Sequence, residues 1–215
     1  MVNIQPQDRA RRGLRQRIFA WMHASEAYGE YDETVAPYKR ALLGNLSGTV
    51  LEIGAGTGEN FPFYAPGIHW IGIEPNVFMH PHLLEAAKKY GITGDLRAVT
   101  AEHLPFDDAS VDAVVSTLVL CSVSDQAQVL GEILRVLKPR GKYVFIKHVV
   151  ALELSRERFL QKLTKPFWRA LADGCEPDRD TAAAIRRAGF SSVEITPFAA
   201  PLWLASPHIA GTATK

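Results

Sequence analysis

A chain of 215 residues with 47% apolar content can bury one good core, and a formal charge of +1 gives no global case for a polyanionic partner such as nucleic acid. Its two cysteines, Cys121 and Cys175, are too few for a disulfide framework and lack metal-ligand spacing, so no metal site is expected and a reducing, cytoplasmic setting is favoured. The polar, Arg-rich start holds no apolar targeting segment, and no stretch reaches the roughly 18 apolar residues of a membrane span, so a soluble protein is expected.

Residues 8–24, DRARRGLRQRIFAWMHA, set Leu14, Ile18, Trp21 and Met22 at helical spacing with five arginines around the other side. This predicts an amphipathic helix. Two readings stay open for it: a packing lid with a solvated basic face, or a surface for peripheral contact with a membrane or anionic partner. From Gly48 onward, the apolar runs TVLEI, HWIGIE, DLRAVTA, VDAVVSTLVL and KYVFIKHVV alternate with helical patterns at Met79–Tyr90 and Gln126–Leu137. That alternation predicts βα units and a mostly parallel sheet with helices on both faces. Pro139-Arg140-Gly141 is expected to end the second of these helices and turn the chain into the next strand. After a helix at Thr181–Ala188, SSVEITPF and PHIAGTAT read as an antiparallel edge pair. The expected organisation is one domain, with residues 1–47 as a helical lid and 48–215 as the α/β core with a C-terminal substrate cap.

VLEIGAGTGEN, residues 50–60, places Gly54, Gly56 and Gly58 in the first βα turn, where open parallel sheets bind ligands. The dinucleotide fingerprint needs its third glycine at position 59, which is Glu59. An acid there would repel a pyrophosphate on the helix N-terminus. Glu74 ends the next strand, where a carboxylate accepts both hydroxyl hydrogens of an unphosphorylated ribose; otherwise it is a solvated strand-end acid. The expected ligand carries adenosine without a phosphate beside the glycines.

The pattern E-x-G-x-G-x-G at Glu52–Gly58, with Glu74 behind it, resembles class I S-adenosylmethionine-dependent methyltransferases. AEHLPF at 101–106 followed by SVDAVVSTLVL, and EILRVLKPRGKYVF at 132–145, are similar to later segments of that superfamily. The resemblance implies a Rossmann-like, seven-stranded sheet and S-adenosyl-L-methionine as donor, leaving S-adenosyl-L-homocysteine. It implies that Glu52, Gly54, Ala55, Gly56 and Gly58 wrap the methionine and ribose, that Glu74 beside Pro75 binds the ribose hydroxyls, and that Ala101 and Glu102 border the adenine. Thr117 and Leu118 would floor the transfer site. Tyr31 would cover the cofactor, or else staple the N-terminal helix to the sheet.

STLVLCSV at 116–123, DGC at 173–175, APLW…PHIAG at 200–211, NFPFY at 60–64 and YDETVAPYKRALLGNL at 31–46 are similar to the alkyl thiol S-methyltransferase family of methyltransferase-like proteins. The implied acceptor is a small, fairly apolar molecule, with a thiol first and an O or N centre of a lipid, quinone or natural product second. Two departures stand out. Those membrane-associated relatives carry an apolar anchor where this chain has its Arg-rich segment, and Lys147 precedes His148 where an acid would be expected.

Methyl transfer from a sulfonium needs chiefly alignment in a dry pocket, and a thiol with a pKa near about 8.5 needs one base at most. His148, at the carboxyl end of its strand, is the first candidate, against a histidine satisfied by backbone. Asp173 and His208 follow, placed by resemblance in the cap; packing or capping roles are the alternative. Cys121 and Cys175 read as small buried hydrophobes rather than nucleophiles. Phe167, Trp168, Trp203 and Leu204 would wall the acceptor pocket or simply pack the core. A non-catalytic binding protein stays open, and a nicotinamide dehydrogenase is disfavoured by Glu59.

Overall fold

The computed structural model describes residues 1–5, 13–24, 29–151, 155–171, 174–202 and 205–215. Its strands are β1 (Val2–Gln5), β2 (Thr49–Ile53), β3 (His69–Ile73), β4 (Gly94–Arg97), β5 (Val111–Thr117), β6 (Leu137–His148), β7 (Ser192–Ala199) and β8 (Pro207–Thr214). They form an eight-stranded sheet in the order β1-β4-β3-β2-β5-β6-β8-β7. The pairs from β1 to β6 are parallel, and β8 is antiparallel to both β6 and β7. After β2 the chain builds outward through β3 and β4, then returns to lay β5 on the other side of β2. A crevice opens at such a reversal, beyond the carboxyl ends of the strands.

Two details differ from the sequence-based expectation. The sheet has eight strands rather than seven, because β1, inside the segment expected to be purely helical, pairs with β4. A four-residue edge strand is too short to show a period-2 pattern. The C-terminal strands form the expected antiparallel edge pair, with β8 between β6 and β7, where a Cβ on Gly211 would strike Glu194 O at 2.0 Å. Finally, Pro139-Arg140-Gly141 is absorbed into β6 as an irregularity, with the β5 register shifting between Val111 and Ala113 and Arg140 at φ 64°.

The helices are α1 (Leu14–Ala24), α2 (Gly29–Leu43), α3 (His80–Tyr90), α4 (Gln126–Val136), α5 (Arg156–Leu171) and α6 (Thr181–Arg187). Asp125 caps α4 by accepting the N–H groups of Ala127 and Gln128 at 2.8 and 3.1 Å, and Gly91 stops α3 in the left-handed conformation. Alternate residues of the central strands feed two cores. Leu51, Val114, Tyr143 and Phe145 meet Val129, Ile133 and Ile185 of α4 and α6 on one face. Val50, Val115 and Val144 meet Leu43 and Leu83 of α2 and α3 on the other. Burying both faces is what permits a parallel sheet.

Of the stripe predicted on α1, Leu14, Ile18 and Trp21 are exposed, whereas Ala20 is buried and Phe19 faces the crevice. α5 is not among the predicted elements; Pro166 lies inside it, and Phe159 and Leu163 face outward. No helix among the described residues is long and apolar enough to cross a membrane.

Candidate functional site

The crevice is built first from the end of β2. Gly54 and Ala55 both donate their N–H groups to the Ile73 carbonyl at the end of β3, at 2.8 and 3.2 Å, stapling the loop to the neighbouring strand. The alternate glycines then differ in role. A Cβ on Gly54 would meet Val119 at 2.4 Å and one on Gly58 would meet the Phe61 ring at 2.8 Å, so protein already fills those spaces. A Cβ on Gly56, at φ 56°, would find nothing nearer than Glu59 Oε2 at 3.9 Å and would project into the cavity. Its absence leaves room for a ligand. Gly56 N–H donates to Glu74 Oε2 at 3.0 Å and Asn76 N–H to Oε1 at 2.8 Å, locking the loop to the acid that follows β3.

Glu52 is a different kind of acid. It is buried beneath the loop, with Oε1 accepting from Asn60 Nδ2 at 2.7 Å and Oε2 from Tyr64 OH at 3.0 Å and Trp70 Nε1 at 2.8 Å. Burial raises its pKa and these hydrogen bonds oppose the rise. The carboxylate is turned away from the crevice, so the expected ligand contact is replaced by a supporting role.

The cavity measures about 830 Å³, within the range of small-molecule sites. Of the residues singled out in the sequence, Tyr31, Gly54, Gly56, Glu74, Pro75, Ala101, Glu102, Thr117, Leu118 and His148 line it. Glu52, Ala55, Gly58 and His208 do not. Asp173, Trp203 and Leu204, and the side chains of Phe167 and Trp168, lie outside the described residues.

One end of the cavity is polar and acidic. Glu59 accepts from Thr57 Oγ1 at 2.8 Å and faces His23 Nδ1 at 3.6 Å, while Asp32, raised by burial and opposed by Lys39, lines the same wall. Glu102 accepts the Ser124 N–H at 2.8 Å.

The other end is soft and apolar. His148 closes β6 opposite His208 of β8, and its Nε2 lies 3.0 Å from Cys175 Sγ. Its Nδ1 has no hydrogen-bond partner among the described residues. Cys121, His148 and Cys175 are all buried and line the cavity, with their ligating atoms within 4.8 Å of one another. Neither cysteine is in a disulfide. The hydrogen bond with Cys175 holds the Cys121 thiol well below the ordinary thiol range against burial, helped by His148 and Lys147. Lys147 is fully buried, and burial lowers its pKa to about 7.

His208 stands one layer back. Its Nδ1 bonds Ser206 O at 2.9 Å, its Nε2 lies 3.4 Å from the Tyr31 hydroxyl, and burial lowers its pKa to about 4. The expectation that it acts directly in the site gives way to contact through Tyr31. Leu118, which also lines the cavity, has φ 56°, an uncommon value for a residue with a side chain, worth about 1–3 kcal/mol of strain. Its N–H donates to Ile146 O at 2.9 Å and its carbonyl accepts from Cys121 Sγ at 3.3 Å.

Residues 51–145 match the family model described as a methyltransferase domain. Human thiol S-methyltransferase TMT1A is 40% identical over 198 residues, covering 86% of this chain and 81% of the human protein. Rat thiol S-methyltransferase TMT1B is 38% identical, covering 78% of this chain and 70% of the rat protein. The chain belongs to the thiol S-methyltransferase family. It is accordingly an S-adenosylmethionine-dependent methyltransferase, with S-adenosylhomocysteine as the donor's product. A Thermotoga maritima S-adenosylmethionine-dependent methyltransferase has the same fold, with a TM-score of 0.65 at 21% identity and coverage of 94% and 99% of the two chains. One from Aquifex aeolicus gives a TM-score of 0.62 at 15% identity, again covering 94% and 99%.

The residues of this methyltransferase fit the donor: the space where a Gly56 Cβ would project, and the Glu74 carboxylate beside it, border one cavity. Other residues that shape the site carry little signal. Arg135 donates to the carbonyls of Phe106 and Leu104 at 2.7 and 2.9 Å, and Glu132 accepts the Leu104 N–H at 2.8 Å, together fixing the loop after Glu102. Their i,i+3 spacing on α4 was the available clue. Arg179 donates to the carbonyls of Leu120 and Val123 at 3.1 and 2.7 Å, and Glu176 N–H to Cys121 O at 2.9 Å. Those contacts join segments remote in sequence, which no local motif announces.

Proposed function

We propose that this methyltransferase transfers the donor's methyl group to the sulfur of a small, fairly apolar thiol. The single observation that carries this reading is the buried imidazole of His148, its Nδ1 unpartnered among the described residues, at the soft end of a cavity whose other end suits the donor. The relatives named thiol S-methyltransferases support the same acceptor.

S-adenosylmethionine, when bound, supplies an electrophilic methyl group on a sulfonium. Gly54 and Gly56 would shape the backbone around its methionine and ribose, Glu74 accept from the ribose hydroxyls, and Pro75, Ala101 and Glu102 border the adenine. A carboxylate has acceptor capacity beyond the two backbone N–H groups that Glu74 already engages. Thr117 and Leu118 floor the passage between the ends, and Tyr31 covers it. Phe19 and His23 of α1, with Asp32 and Lys39 of α2, line the same cavity, which supports residues 1–47 as a lid that excludes water. In the metal-free protein, His148 receives the acceptor's proton as the S–C bond forms.

Two cysteines outside any disulfide support a cytoplasmic setting, and exposed Leu14, Ile18 and Trp21 on α1 support peripheral membrane contact. The deciding experiment incubates the full chain with labelled donor and an equimolar thiol, phenol and amine of similar size. Mass spectrometry should find the thioether dominant; preferential methylation of the phenol or amine would overturn the thiol assignment.

A further inference from the structure

We propose that Cys121, Cys175 and His148 bind a zinc ion with one coordination position open to the cavity, where the acceptor thiol docks as thiolate. This rests on the thiol reading above and replaces one part of it: with the ion bound, the metal rather than the imidazole makes the thiolate.

The donor set is the first ground. Two thiols and an imidazole without a carboxylate suit zinc rather than magnesium or calcium, and three protein ligands with an open fourth position are the pattern of catalytic zinc. Geometry is the second. Zinc bonds of about 2.0–2.3 Å in a tetrahedron separate ligand atoms by about 3.5–3.8 Å. The observed 3.0 Å between His148 Nε2 and Cys175 Sγ, and the 4.8 Å bound on all three atoms, bracket that spacing. Small side-chain movements suffice.

The third ground is that the backbone around the ligands is already fixed. Glu176 N–H donates to Cys121 O at 2.9 Å, and Arg179 spans the Leu120 and Val123 carbonyls, so the two cysteine-bearing segments are tied independently of the thiols. Lys165 in turn holds Glu176 and Asp178 at 3.1 and 3.0 Å. His148 arrives from β6, held by pairing with β8. A site whose ligands are positioned before the metal arrives loses less on binding it.

The chemistry balances. Zinc binding releases the protons of Cys121 and Cys175 to solvent, and acceptor binding at the open position releases the acceptor's proton in the same way. The zinc-bound sulfur then forms the new S–CH3 bond as the sulfonium's S–CH3 bond breaks, with that electron pair staying on S-adenosylhomocysteine. The thioether is a weaker ligand than the thiolate and leaves.

The test uses the full chain, reduced, stripped with chelator and kept anaerobic. Titration with cobalt(II) should saturate at one equivalent, giving thiolate-to-cobalt charge-transfer absorption and the visible bands of tetrahedral coordination; a small alkyl thiol should then shift the visible bands. Cys121→Ser and Cys175→Ser should each lose charge-transfer intensity, with donor binding by calorimetry confirming that each variant is folded. Absence of the charge-transfer band in the reduced wild-type chain, or its persistence in both variants, would overturn the site. Chelation should lower thiol methylation by more than about tenfold, reversed by zinc. Full thiol methylation by the metal-free chain would remove zinc and leave His148 as the base, whereas an intact cobalt spectrum without any thiol methylation would keep the metal and remove the thiol reading.

Discussion

At the polar end of the cavity, Gly54, Ala55, Gly56, Ile73 and Glu74 lie at the ends of two successive strands and in the turns that follow them, and hydrogen-bond directly to one another. At the soft end, Cys121, His148 and Cys175 come from three separate segments that meet only because β6 pairs with β8 and Arg179 ties residues 176–179 to the loop after β5. The first end depends on local backbone geometry and should fail through single residues of the loop. The second depends on long-range packing, so its parts should fail through desolvation and proton placement.

The largest expected effect lies under the glycine loop. Glu52→Ala leaves the buried donors of Tyr64 and Trp70 unpaired and should cost about 3–5 kcal/mol in urea unfolding. A loss of donor affinity with unchanged stability would instead make Glu52 a ligand contact.

His208 tests the soft end. Its folded pKa of about 4 lies below the ordinary histidine value of about 6.5, so between these pH values the unfolded chain binds more protons. The stability linked to its neutral form is present above about pH 6.5 and falls away toward pH 4, by up to about 3 kcal/mol. His208→Gln should flatten that acid limb in pH-dependent unfolding; superimposable limbs would place the imidazole in water.

Gly56→Val puts a β-branched residue at positive φ and fills ligand space. Calorimetry should show donor affinity down by about 100-fold or more in a folded protein. Full affinity would show that the donor does not approach that backbone. The smallest effect is expected at His148. In the chelated, metal-free protein His148→Ala should lower thiol turnover about tenfold at pH 6 and far less at pH 9, where acceptor thiols with a pKa of about 8.5 ionise unaided. An equal loss at both pH values would assign His148 to packing.

These two ends also differ in how they could be read before the fold was known. The glycine loop, Glu74 and the AEHLPF turn were legible because each is a short stretch whose backbone conformation or strand-end position depends on its own residue types. Within that stretch the roles of the glycines were not legible, since only Val119 and Phe61, arriving from elsewhere, distinguish Gly54 and Gly58 from Gly56. The supporting role of Glu52 beneath the loop was not legible for the same reason: the resemblance implied a ligand contact, and its partners Tyr64 and Trp70 arrive from other parts of the chain. The strand β1 was missed because it is too short to show an apolar period, and helix α5 because Pro166 inside its otherwise periodic apolar stripe reads as a helix breaker.

Sequence alone was enough to settle the alternating βα architecture and to argue for a ligand without a phosphate at the glycine loop, because hydrophobic periodicity, glycine and a strand-end acid act over a few residues. Spacing along the chain argued against any metal site, since Cys121 and Cys175 share no local motif. Only the tertiary structure brought both thiols to His148, because the pairing of β6 with β8 and the Arg179 bridges act between segments distant in sequence.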